Sequence, residues 1–175
     1  FRPITFEVPE WAERVEVMST ISGHGWGRDL ENCAEFCNHT HHIAVNHGLE
    51  YEKDHPMAGT LDGCAEQAAG GVTPNQAGTW IFGRGGWCPG LDVKPWTIDV
   101  TTDVRRGGRN VLGYRGLFNG RDYVAQPDPD AEPGQGFDAR IDMRSYLVFW
   151  ARMTAPYPFD ESLIFLPRTL RAGGE

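Results

Sequence analysis

Arg14-Val15-Glu16-Val17-Met18-Ser19-Thr20-Ile21 runs straight into Ser22-Gly23-His24-Gly25-Trp26-Gly27. Val15, Val17 and Ile21 face inward against Glu16, the period of two that marks a half-buried strand. The strand empties into a turn where three glycines alternate with His24 and Trp26. Such a backbone can adopt positive φ and project two aromatic rings into a common space; the competing reading is a plain turn around a buried tryptophan. Close behind comes Cys33-Ala34-Glu35-Phe36-Cys37. Along an extended strand these cysteines would have Cα atoms roughly 13 Å apart, whereas a disulfide tolerates about 4.4 to 6.8 Å. A bond between them forces a turn and sets Glu35 at the apex of a rigid loop. There its carboxylate can be held in one direction, as an acid, a base or a ligand anchor requires.

The same alternation extends outward in both directions. Ile4, Phe6 and Val8 alternate with Thr5 and Glu7; Trp96, Ile98 and Val100 alternate with Thr97 and Asp99; Val111 to Tyr114 is a further strand. Tyr146 to Met153 is apolar on both faces, which predicts a central strand buried on both sides. Leu163 to Leu166 is read as a short last strand and 168–175 as a frayed tail. With 22 glycines and 12 prolines among short apolar runs in 175 residues, the expected class is all-β, one domain over 1–175. The 117–140 segment, centred on Pro127-Asp128-Pro129-Asp130-Ala131-Glu132-Pro133-Gly134, is expected to be a solvated polar loop and not a site.

Charge and cysteine count narrow the function. A formal net charge of -8, from 24 acidic and 16 basic residues, repels polyanions, so neither nucleic acid nor an anionic membrane is an expected partner. No apolar run approaches the ~20 residues that span a bilayer, and the N-terminus lacks a signal pattern. Beginning at Phe1, the chain is expected to have been processed or trimmed. Four cysteines favour two disulfides and a secreted or periplasmic location. Of the three possible pairings, Cys33 with Cys37 and Cys64 with Cys88 is preferred. The second closes about 25 residues and contributes roughly 3 to 4 kcal/mol, against about 2 for the small ring. A four-thiolate zinc site is the rival, disfavoured because zinc ribbons pair close spacings on both sides. Residues 47–79 hold many turn formers and few apolar residues, and a loop so long needs that tether.

Two further groups carry possible chemistry. In Trp80-Ile81-Phe82-Gly83-Arg84-Gly85-Gly86-Trp87-Cys88-Pro89-Gly90, Arg84 offers a planar donor fork near the Trp87 face, with glycines that allow close approach. Sugars are often held by such a pair; the alternative is a solvated Arg84 and a Trp87 packed on the disulfide. His39 and His41 share a strand face with Ile43 and Val45, and H-x-H spacing can bind copper or zinc. A hydrogen-bonded core histidine is the commoner outcome for His41, and no metal or cofactor is expected. Asn38-His39-Thr40 matches a glycosylation acceptor, with a disulfide close by. There is no internal repeat, phosphate-binding glycine loop or nucleophilic-hydrolase pattern.

Thr20-Ile21-Ser22-Gly23, Cys33-Ala34-Glu35-x-Cys37, Thr40-His41-x-Ile43-Ala44, Gly63-Cys64, Gly78-x-Trp80, Arg84-x-Gly86-Trp87-Cys88-Pro89-Gly90 and Ile98-Asp99-Val100 together resemble the C-terminal domain of the peptide-N-glycosidase F family. The resemblance is specific over about 20–100. It implies a jelly-roll β-sandwich of two antiparallel four-stranded sheets, packed beside a second jelly roll with the site in the cleft between them. It further implies metal-free hydrolysis of the amide joining an N-glycan to asparagine. Glu35 matches a glutamate needed for activity, Arg84 and Trp87 match residues near the chitobiose, and the two disulfides correspond. The family's acidic Asp-Glu-Trp-Asp-Arg segment has no counterpart, so the catalytic aspartate is expected on another domain or chain. The turn histidine and tryptophan stand in reversed order as His24 and Trp26, and the loop after Leu117 is longer. The expected partner is an N-glycan or glycopeptide, with Glu35 catalytic and Arg84, Trp87, His24 and Trp26 binding. The alternatives are a non-catalytic glycan-binding or structural module, or a copper monooxygenase-like domain using His39, His41 and one of Met18, Met57, Met143 or Met153.

Overall fold

A computed structural model describes residues 1–76 and 78–152, and the backbone of Thr169–Arg171. Its strands are β1 (Ile4–Val8), β2 (Arg14–His24), β3 (Thr40–Val45), β4 (Glu50–Lys53), β5 (Trp96–Asp99), β6 (Gly108–Phe118), β7 (Arg121–Asp122), β8 (Arg140–Trp150) and β9 (Thr169–Arg171). One sheet has the order β1-β6-β3-β4, with β7 added to β6, and the other β5-β2-β8-β9. Every strand pair is antiparallel. The protein is thus a β-sandwich, and the hairpin strand β7 raises one sheet from the expected four strands to five.

The core is what the alternation dictates. Val15, Val17, Ile21, Ile98, Ile141 and Met143 from one sheet meet Val8, Ile43, Val45 and Tyr114 from the other. In β3 the buried positions are His41, Ile43 and Val45, the face expected. Glu16, read as outward, is nonetheless buried: Arg14 pairs with it, and Trp150 Nε1 donates to its Oε2 at 2.8 Å. An outward carboxylate can be covered without being desolvated unpaired.

The expectation for Tyr146 to Met153 is corrected. Those residues that belong to β8 are half-buried and Trp150 is 50% exposed. The strand is central in its sheet, between β2 and β9, and among the described residues Leu147 and Phe149 pack on the core. Leu163 to Leu166 lies outside the described residues. Within 168–175, Thr169–Arg171 pairs with Asp142–Arg144.

The 47–79 stretch contains two elements that its polar composition concealed, β4 and a 3-10 helix at Ala65–Gly70. Both disulfides form as preferred, Cys33 with Cys37 and Cys64 with Cys88. Cys64, Cys88 and Val72 make a second small core, with Met57, Trp80 and Leu91 packed against it. Replacing Cys64 and Cys88 together by serine is expected to lower unfolding free energy by about 3 to 4 kcal/mol. Urea titration of oxidised wild type and double variant measures it, and a loss below about 1 kcal/mol would show that the packing alone holds these loops.

Candidate functional site

Three segments meet beyond the C-terminal end of β2: the glycine turn, the clamped loop and the Trp80–Gly90 segment. Backbone bonds stitch them together. Gly23 N–H donates to Gly85 O at 2.8 Å, and Gly85 N–H donates to Glu35 O at 2.7 Å. The approach is so close that a Cβ on Gly23 would fall 1.7 Å from Ala34 O, so only glycine fits.

Glu35 is 8% exposed, and each of its carboxylate oxygens accepts one hydrogen bond. Oε1 accepts from Arg84 Nε at 2.8 Å, and Oε2 accepts from Gly25 N–H at 2.9 Å. Arg84 is 3% exposed, which overturns its reading as a solvated cation. Its Nη1 donates to the carbonyls of Trp80 and Phe82, both at 3.3 Å, and Nη2 to Thr79 Oγ1 at 3.3 Å. The guanidinium carbon lies 4.8 Å from the Trp87 ring centroid and 5.5 Å from that of Phe36. A buried guanidinium with nearly all donors matched is a structural clamp on whatever carboxylate it holds.

Trp87 Nε1 donates to Gly23 O at 2.6 Å, and His24 stacks on the indole with centroids 5.0 Å apart. His24 Nε2 lies 2.9 Å from Ser22 Oγ and 3.8 Å from Asp142 Oδ2. Burial lowers the His24 pKa below its usual value, with Asp142 opposing. Glu35, Arg84, Trp87 and His24 therefore form one contiguous group. Trp26, 39% exposed, stands outside that stack, and among the described residues its ring has no aromatic partner. The surface of the site is aromatic, with the ion pair packed beneath its edge.

Several contributors were not legible beforehand. The Gly25 N–H that donates to Glu35 and the Thr79 hydroxyl that accepts from Arg84 are partners that no side-chain pattern announces. The polar 117–140 loop braces the glycine turn: buried Asp29 accepts from Tyr123 OH and from Gln126 N–H at 2.6 Å, and Phe137 N–H donates to Trp26 O at 2.8 Å. Arg28 Nε adds a bond to Gln135 O at 2.8 Å. A charged residue beside a glycine turn, Asp29, was the available signal.

On the far side of the clamped loop, three buried histidines stand in a row. His39 and His41 ring centroids are 6.3 Å apart, and those of His41 and His55 5.3 Å. His39 Nε2–H donates to Cys33 O at 2.6 Å, and His41 Nδ1 pairs with Tyr114 OH at 2.7 Å. His39 Nδ1 and His55 Nε2 are buried without a hydrogen-bond partner. Burial, reinforced by the neighbouring histidines, holds the His41 pKa down to about 3; burial and then Lys53 hold that of His55 to about 4. Burial also lowers that of His39. His41 is thus the hydrogen-bonded core histidine. Among the described residues, no three of His, Cys, Asp or Glu converge as a metal set would require, and Met153 lies outside them. Asn38 spends its side-chain oxygen on His55 N–H at 2.7 Å.

A sequence profile described as Peptide-N-glycosidase F, C terminal, matches residues 2–148. Peptide-N(4)-(N-acetyl-beta-D-glucosaminyl)asparagine amidase F of Elizabethkingia miricola is 34% identical over 113 residues, which is 62% of this chain and 30% of that protein. The solved structure of PNGase F, a glycosylasparaginase from Flavobacterium meningosepticum, superposes with a TM-score of 0.55 at 23% identity, over 83% of this chain and 42% of that one. PNGF-II superposes with a TM-score of 0.58 at 15% identity, over 89% of this chain and 26% of that one. At those identities the structural likeness bears on fold alone. The chain spans less than half the length of each of these relatives.

Proposed function

Because this chain belongs to the peptide-N-glycosidase F C-terminal family, we propose that it is the second-domain half of an amidase that cleaves or recognises the linkage between an N-glycan and asparagine. In the reaction, water adds to the side-chain amide carbon and the carbon–nitrogen bond breaks, leaving aspartate and a glycosylamine. The aspartate that drives this step belongs to a separate domain or chain. Here Trp87, His24 and Trp26 receive the glycan core, Arg84 fixes Glu35, and Glu35 orients the proximal sugar or the water. Two disulfides and a bacterial relative support an extracytoplasmic setting, and we read it as secreted or periplasmic. No helix among the described residues is long and apolar enough to cross a membrane.

The carboxylate of Glu35, held between Arg84 Nε and Gly25 N–H at the edge of the aromatic stack, carries this reading. Each carboxylate oxygen keeps a second acceptor direction, so Glu35 can take a hydrogen bond from a sugar hydroxyl or a water without releasing Arg84. That suits orientation better than proton shuttling. Calorimetric titration with an asparagine-linked chitobiose glycopeptide tests it. Glu35→Gln is expected to weaken binding about tenfold, roughly 1.4 kcal/mol, and the chain alone is expected to release no glycan. Unchanged affinity in the variant would overturn the role of Glu35, and efficient release by the isolated chain would overturn the placing of the aspartate elsewhere.

The burial of Glu35 and Arg84 favours a second reading, a non-catalytic glycan-binding or structural module in which the pair only ties three loops together. Under it, Glu35→Gln lowers stability and leaves glycan affinity intact.

A further inference from the structure

We propose that a second carbohydrate site lies beside the first, in the cleft between the 53–57 turn, the 3-10 helix Ala65–Gly70 and the 86–94 segment, and that it takes a neutral oligosaccharide branch. It rests on the reading that the Trp87 stack receives the base of a glycan. The cleft measures about 650 Å³ and shares Gly86 and Trp87 with that stack. Pockets that bind small ligands span about 300 to 1,000 Å³, so it has room for more than one sugar ring.

Its lining selects the ligand class. Lys53 and Lys94 are balanced by Asp54 and Asp92, so the cleft offers no field that favours an anion or a cation. None of the four forms an ion pair among the described residues; Asp54 Oδ2 accepts from Asn38 Nδ2 at 3.5 Å, which leaves its other oxygen, Asp92 and the two lysines to meet hydroxyl groups. Met57 and Leu91 give an apolar floor, packed against the Cys64–Cys88 core. Alternating hydroxyl partners around an apolar patch fit a pyranose, whose rim is polar and whose face is not.

The site is also held in shape before any ligand arrives. The disulfide joins two of its walls. Gln67 Nε2 donates to Gly63 O at 2.8 Å and touches Met57 Sδ at 3.0 Å, and its amide oxygen takes no donor among the described residues. Preorganisation of this kind reduces the ordering cost of binding a weakly held sugar.

The test is a titration of the full isotope-labelled chain, followed by amide NMR, with unlabelled mannotriose and separately with N,N′-diacetylchitobiose. Mannotriose is expected to give saturable shifts at 53–57, 67–70 and 91–94, and chitobiose at 23–26 and 84–87. Leu91→Glu is expected to weaken mannotriose at least tenfold and to leave chitobiose within twofold. Lys94→Ala, at an exposed position, does the same more mildly and covers the case in which Leu91→Glu misfolds. Absence of saturable mannotriose shifts below roughly 20 mM, or shifts that both folded variants leave unchanged, would overturn the proposal. Mannotriose binding without chitobiose binding would discard the linkage-site reading and keep this cleft; the reverse would discard the cleft alone.

Discussion

Arg84→Met is expected to lower the unfolding free energy by about 3 to 5 kcal/mol, the cost of leaving a buried carboxylate without its counter-charge. Glu35 has one remaining protein donor after that change, Gly25 N–H, and little solvent access. The carbonyls of Trp80 and Phe82 and the hydroxyl of Thr79 lose their guanidinium donor in the same stroke. Adding Glu35→Leu to Arg84→Met should recover much of the loss, because two matched apolar groups cost less than one orphaned charge. Chemical denaturation of the two single variants and the double variant gives the cycle. A loss under 1 kcal/mol for Arg84→Met, or a double variant no better than the worse single, would show that the pair is solvated and does not tie the three loops.

Acidification is the second large effect, and its sign follows from the histidine row. Burial holds neutral His41 and His55 in the fold far below their ordinary 6.5, at about 3 and about 4, with Lys53 and the other histidines further disfavouring their charge and Asp54 partly opposing at His55. Above pH 6.5 neither state of the chain protonates them, and their stabilising contribution is complete. As pH falls below 6.5 the unfolded chain takes up protons that the folded chain refuses, so stability drops, and it keeps dropping toward the folded values. For His41 the slope is about 1.4 kcal/mol per pH unit. His39 acts in the same sense and holds Cys33 O, so the loop that carries Glu35 is the part most exposed to this loss. Asp99, lowered by its bonds to Thr101, adds the same sign only below about 3.8, so the window from pH 6.5 to 4 belongs to the histidines. Urea melts at pH 7.5, 6, 5 and 4.5 should show the fall, and His55→Asn should flatten it. A stability that stays level from pH 7 to 5 would mean that the row takes up protons without unfolding.

The strands at Ile4–Val8 and Arg14–Ile21, and the inward set Val15, Val17, Ile43 and Val45, could be read off the chain, whereas the continuation of the second strand through Ser22–His24 could not. A half-buried strand writes its two faces into successive residues. Glu35, Arg84 and Trp87 were visible for a related reason: a tight covalent ring and a glycine-flanked arginine are local features. Their degree of burial was not visible. Whether Arg84 reaches solvent depends on Phe36, Thr79, Trp80 and Phe82 closing over it, and no spacing rule specifies that closure. The polar loop 117–140 shows the same boundary. Its composition marks it as solvated, but its contacts with the glycine turn come from Trp26, Arg28 and Asp29, far earlier in the chain.

The residues alone determined an all-β chain with two covalent loops and a single acidic side chain fixed by one of them, because alternation, glycine freedom and ring closure act over a few positions. Tertiary structure alone decided that this acid points at Arg84, that three histidines line up neutral behind it, and that a cleft opens beside Trp87. Those outcomes depend on which distant segments shield a charge from water, and the free energy of a buried charge is set by its surroundings in space.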